Sequence, residues 1–114
     1  KKLQDAMLRI RYAQVPVVAA MRGLALGGGC ELAVHRARRV AHLESYVGLV
    51  EVGVGLIPGG GGLAYIARRA AEMAGAGNAK ADLLQFLTDG FTSAAMAKVA
   101  TSAIEARQMG WLVE

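Results

Sequence analysis

The chain has 114 residues, 54% hydrophobic and 19% charged, a globular composition sized for one domain or part of one. Thirteen Lys and Arg against nine Asp and Glu give +4, but the basic residues are scattered without interleaved aromatics, which argues against a nucleic-acid groove and leaves room for a smaller anion. No uninterrupted run reaches the ~18 apolar residues of a membrane span, and the single Cys30 excludes an intrachain disulfide and favours a reducing cytoplasm.

Leu3, Ala6, Met7 and Ile10 recur at helical spacing, which predicts an amphipathic helix over 2–13 that ends near Gln14. Val15 to Met21 is a short apolar run with Pro16 near its start, read as a buried strand. Gly23 to Gly28 then form a turn. Helical character resumes from Gly29 to Arg36, so the helix begins inside the glycine run and its free N–H groups and positive dipole end face whatever the loop encloses.

Arg39 to Leu43 is a second strand candidate and Tyr46 to Leu49 a third. A helix over 61–73 follows, with Leu63, Ile66, Ala67 and Ala70 on one face and Arg68, Arg69 and Glu72 on the other. Gly75 to Asn78 reads as a turn, Ala79 to Leu87 opens another helix, and Ser102 with Glu105 three residues later matches a helix start.

The chemistry concentrates in Glu31 and Glu51, each at the edge of a glycine-rich segment: Ala25-Leu26-Gly27-Gly28-Gly29-Cys30-Glu31, and Glu51 leading into Pro58-Gly59-Gly60-Gly61-Gly62. Glycines let backbone N–H groups approach a ligand, and two carboxylates beside such a backbone can share acid and base work. Glu31 sits in an apolar context, where an ionised carboxylate is costly without partners. Cys30 is expected as a small buried apolar residue. His35 and His42 have no neighbours at metal-ligand spacing, so no metal site is expected, and Tyr46, Tyr65 and Trp111 are expected to pack. Gly59, Gly61 and Ala64 also satisfy G-x-G-x-x-A before a helix, which keeps a dinucleotide-binding module as an alternative, although Pro58 interrupts the run before it and no acid-terminated strand is evident near residue 80.

Pro16 to Ala33 closely resembles the signature of the crotonase superfamily of enoyl-CoA hydratases and isomerases, and Glu51 with Gly55-Leu56-Ile57-Pro58-Gly59-Gly60-Gly61-Gly62 resembles its second catalytic block at the expected distance. The resemblance is strong over about residues 1–65 and weaker over Thr101 to Leu112; the longer stretch between resembles the crotonase part of bacterial fatty-acid oxidation proteins that also carry a 3-hydroxyacyl-CoA dehydrogenase. It implies an α/β fold of spiral ββα turns, incomplete at both ends, with residues 1–114 as the central and C-terminal portion of one crotonase-like domain. It implies Glu31 and Glu51 as the catalytic pair holding a water, with Gly28, beside Gly27, as the oxyanion donor to a thioester carbonyl. The second donor of that family comes from an upstream loop that these residues do not contain.

The implied reaction adds water to trans-2-enoyl-CoA, with coenzyme A arriving as part of the substrate, no cofactor in this segment, and NAD only in a fused dehydrogenase. The implied partners are an acyl-CoA thioester and copies of the chain in a trimer-type homo-oligomer. Val50 departs from the proline found before the second acid in many relatives. A non-catalytic crotonase-like scaffold is the third reading, and the presence of both glutamates argues against it.

Overall fold

The computed structural model describes residues 1–76 and 82–113. Helix α1 spans Lys2–Arg11 and ends two to three residues before the periodicity suggests, with basic Arg9 and Arg11 in its last turn complementing the negative end of the helix dipole. Strand β1 (Val18–Leu26), helix α2 (Gly28–Val34) and strand β2 (Arg38–Gly48) form a βαβ unit with the strands parallel. A single 3-10 turn at Glu51–Val54 leads to α3 (Gly62–Ala76), α4 (Leu83–Ala95) and α5 (Ala103–Gln108).

Three expectations change. The turn expected over Gly23 to Gly28 is mostly strand: β1 runs through to Leu26, and Gly23 with φ +72° serves a break in register between Met21 and Gly23 instead. The two strands expected at Arg39 to Leu43 and Tyr46 to Leu49 are one, interrupted by a bulge. Met21 pairs with Ala41 and Gly23 with Ser45, so three residues of β2 lie opposite one of β1. Ser45 closes the bulge by donating from Oγ to His42 O at 2.6 Å.

The Val15 to Met21 run expected to be a buried strand buries only Met21, with Val15 68% and Val18 54% exposed. Parallel strands bury both faces only where helices cover both. Here α2 packs on β1 and α5 on β2, and that cover leaves part of the sheet open.

The core lies on the covered side. Cys30 and Val34 of α2 meet Val47 and Leu49 at the end of β2, Tyr65 and Ile66 of α3, and Ala106 and Trp111 from the last helix and the residues after it. Tyr65 and Trp111 stack at 6.0 Å, and the Tyr65 hydroxyl donates to Gly110 O, giving this large pair both its apolar burial and a polar anchor. Tyr46 is half-buried. An antiparallel bridge between Val47 and Ala100, with N···O distances of 3.1 and 2.8 Å, ties the chain after α4 to the inner end of β2.

Asp82 caps α4 by accepting from Leu84 N at 2.9 Å, and Ser102 caps α5 by accepting from Glu105 N at 3.1 Å. The turn expected over Gly75 to Asn78 and the helix start expected at Ala79 fall in part outside the described residues. Helix α3 is intact to Ala76, beyond the Met73 end that was expected.

Candidate active site

Gly27 is the hinge of the site. It holds φ +55° and ψ −123°, a conformation open to glycine and strained for other residues, and that bend turns the chain from β1 straight into α2. Its N–H donates to Gly48 O at 2.8 Å and is spent on fastening the turn to the end of β2. The bond removes the Gly27 N–H from the donors open to a ligand. Gly28 is the first residue of α2, where an N–H has no intrahelical acceptor. Gly28 and Gly29 are exposed, and a Cβ built on either would meet nothing within 4 Å.

Glu31 lies one turn along, 3% exposed. Its Oε1 accepts from Gly60 N at 2.8 Å and from Gly62 N at 3.0 Å, so the second glycine run supplies the partners that its apolar setting requires. His35, four residues on and on the same helix face, lies 2.7 Å through Nδ1 from Glu31 O. A carbonyl only accepts, so Nδ1 carries the proton. The ring lies under Gly61, where a built Cβ would come within 2.9 Å of Cε1 and Nε2. His35 thus props the second glycine run against the helix that carries Glu31.

Glu51 opens the 3-10 turn and is half-buried. Its Oε1 would be 3.3 Å from a Cβ on Gly27, so the carboxylate rests against the hinge. The Oε2 atom is buried and receives no hydrogen bond among the described residues. Val50, which stands where a proline was expected, lines the same spot with Cγ2 at 3.6 Å from that built Cβ.

Cys30, next to Glu31 on α2, is fully buried. Its thiol is pushed up to about 12, first by burial, then by the charge of Glu51, then by that of Glu31, with Arg39 and the Gly48 backbone pulling the other way. Such a thiol stays neutral and unreactive at physiological pH, as the apolar role expected of it requires. The structure gathers Glu31, Glu51, Gly27 and Gly28 around a single turn.

The dinucleotide alternative fares badly. Gly60 N and Gly62 N already bond Glu31, and a 3-10 turn and loop, not a strand, precede Gly59. Those two N–H groups flank Gly61 of the Gly59, Gly61 and Ala64 pattern and are not open to a pyrophosphate. His42 is exposed and accepts from Glu44 N at 3.2 Å, and among the described residues no group of three His, Cys, Asp or Glu is placed to hold a metal ion. No helix among them is long and apolar enough to cross a membrane.

Two features of the site escaped the sequence reading. The glycines of the second run act as donors to Glu31 rather than to a ligand, and nothing in a glycine run announces its acceptor. The support from His35 was readable, because Glu31 and His35 stand four apart on a helix.

Comparison with known proteins gives the family and the fold. The chain is 43% identical over 119 aligned residues to a probable 3-hydroxyacyl-CoA dehydrogenase of Bacillus subtilis (strain 168), an alignment covering all of this chain and 14% of that protein. It is 50% identical over 60 residues to a putative fatty acid oxidation complex trifunctional enzyme of Rickettsia felis, covering 53% of this chain and 8% of that one. The crystal structure of enoyl-CoA hydratase from Thermoplasma volcanium superposes with a TM-score of 0.76 at 26% identity, over 97% of this chain and 38% of that one, so the fold is the crotonase-type α/β fold of solved enoyl-CoA hydratases. The chain thus spans a small part of the relatives it matches. The Enoyl-CoA hydratase/isomerase family matches residues 1–110, which include both glycine runs and both glutamates, and the chain belongs to that family.

Proposed function

We propose that this chain carries the two-glutamate half of a hydratase site that adds water to trans-2-enoyl-CoA, giving 3-hydroxyacyl-CoA in fatty-acid β-oxidation. The observation that carries the reading is that Glu31 lies in the first turns of α2 while the Glu51 carboxylate rests against Gly27, the residue that opens the same helix. A water between the carboxylates would give its hydroxyl to carbon 3 of the enoyl group and a proton to carbon 2. Glu51, whose Oε2 has no protein donor among the described residues, suits the proton exchange at carbon 2. Glu31, held by two N–H groups, suits fixing the water.

The thioester oxygen gains negative charge as the bond to carbon 3 forms. Gly28 N–H, at the positive end of α2, is the group in this chain positioned to meet it. A longer parent would supply the second donor, and the domain is read here as the central and C-terminal part of one crotonase-like unit. The substrate brings its own coenzyme A, and these residues call for no resident cofactor; NAD belongs to a fused dehydrogenase, as the name of the Bacillus subtilis relative suggests. A cytoplasmic, trimer-type homo-oligomer completes the reading, and the exposed Val18, Leu24, Val40 and Leu43 of the sheet are apolar surface such an assembly or the rest of the domain would cover.

The test is crotonyl-CoA hydration by the longer parent, followed spectrophotometrically. Glu31→Gln and Glu51→Gln should each lower kcat at least ~10²-fold with KM changed less, the signature of lost acid and base help. Near-normal turnover in either variant removes that residue from the chemistry. The 114-residue chain alone should be a poor hydratase, because half an oxyanion hole positions the substrate badly.

A further inference from the structure

A second polar feature lies further along α3. The C-terminal end of α1, the turn between α2 and β2, and the middle of α3 enclose a cleft of about 310 Å³. Arg11, Arg36, Arg39, Arg68 and Arg69 line it, and Glu72 is the acid among its lining residues. Seven residues separate Gly62, which bonds Glu31, from Arg69, or ~10 Å along the helix axis.

Four guanidinium nitrogens at this cleft are buried and bond no acceptor among the described residues: Arg36 Nη1, Arg39 Nε, Arg68 Nη1 and Arg69 Nε. Buried charged donors without acceptors are costly, and of these four arginines only Arg39 has a backbone acceptor among the described residues, donating through Nη1 to Val34 O at 3.0 Å. Glu72 meets part of the demand, lying 3.6 Å from Arg68 Nε and 3.3 Å from Arg69 Nη1, but its side chain is 45% exposed and at the rim. Arg39 and Arg68 are held in place by Tyr65, with guanidinium carbons 5.5 and 5.2 Å from its ring centroid. A guanidinium over an aromatic ring is attracted by its quadrupole while its N–H groups can still bond an anion.

We propose that this cleft is a binding site for a phosphoryl group, a phosphate monoester or a pyrophosphate. Several convergent guanidinium groups against one carboxylate match a multiply charged anion better than a single carboxylate, and the planar forks match phosphate oxygens two at a time. The inference does not depend on the role given to Glu31 and Glu51.

Calorimetric titration of the full chain with inorganic pyrophosphate at low salt tests it. Saturable binding is expected, weakened about tenfold by Arg36→Gln or Arg68→Gln, and unaltered by Glu51→Gln. Glu72→Gln is the informative opposite: it removes a competitor at the rim without touching the core, so binding should tighten several-fold. Circular dichroism melting identifies any arginine variant that fails to fold, and the Glu72→Gln result then stands by itself. Coenzyme A titrated in parallel distinguishes sources: competition with pyrophosphate that Arg68→Gln abolishes assigns the phosphoryl group to the coenzyme, and simultaneous binding assigns it to a separate anion. Absence of saturable binding, equal binding of acetate, or indifference to Glu72→Gln would overturn the proposal.

Discussion

The two glycine runs have nearly the same composition and do opposite things. Gly28 and Gly29 are exposed with open space beside them, and they leave a helix start facing outward. Gly60, Gly61 and Gly62 are crowded: a Cβ on any of them would run into Glu31, His35 or Leu49. The first run keeps a backbone donor free for something from outside. The second turns its donors inward onto a carboxylate, so that this acid is already held before any ligand arrives. A glycine run therefore states that backbone must come close, and the fold decides to what.

The largest expected effects break this contrast directly. Gly62→Ala would put a methyl 2.8 and 2.9 Å from the two Cδ atoms of fully buried Leu49 and 3.0 Å from Glu31 Oε1. Leu49 has no solvent to swing into, so overpacking should cost ~1–3 kcal/mol in denaturant unfolding. Gly28→Ala meets nothing and adds a better helix former, so its stability should hold or rise by up to ~1 kcal/mol. Hydration by the parent should fall all the same, because the methyl enters the space beside the proposed donor. Equal stability losses in the two variants would show that the runs are constrained alike.

A second experiment sharpens the geometry between the runs without needing activity. Glu51 and Glu31 both raise the Cys30 thiol, Glu51 more, so Glu51→Gln should lower its pKa from about 12 by more than Glu31→Gln does. Thiolate absorbance during an alkaline titration reads this, and an unchanged value in both variants would separate the acids from the turn. The same shift has a stability consequence. The folded chain keeps the thiol proton where the unfolded chain, with an ordinary value near 9.0, loses it. The stabilisation is complete below about pH 9 and drains away as pH rises towards about 12. Cys30→Ala should flatten that alkaline decline relative to the unmodified chain.

How much of this was legible follows the range of the forces involved. The helix start inside the first glycine run, expected at Gly29 and found one residue earlier, and the cap at Ser102 are local patterns, and local patterns survive in a sequence. The division of β2 into two strands failed because residues 42–44 look like a break, whereas the bulge keeps the ladder intact and Ser45 stitches it across. The expected burial of β1 failed because an apolar run reports what a strand could bury, not whether a partner covers it. The inward turn of Gly60 and Gly62 and the arginine cleft depend on contacts between residues about 30 or more positions apart, which one sequence without relatives does not record.

The smallest effect tests the opposite way of starting a helix. Helix α2 begins at Gly27 with no side-chain cap, and that is what keeps the Gly28 N–H available. Helix α5 begins at Ser102, whose Oγ accepts from Glu105 N, while Glu105 Oε2 accepts from Thr101 N and Oγ1 at 2.8 and 2.9 Å. There the Glu105 N–H and both Thr101 donors are already bonded within the cap. Ser102→Ala should cost ~1 kcal/mol of stability with parent hydration unchanged, because the cap serves the helix and not the site. The two Thr101 bonds hold the Glu105 carboxyl below its usual range, so whatever they add is present above its ordinary value and lost as pH falls through the lowered one. A chemical denaturation series at neutral and acid pH reads both, and loss of activity in Ser102→Ala at full stability would mean that α5 reaches the chemistry after all.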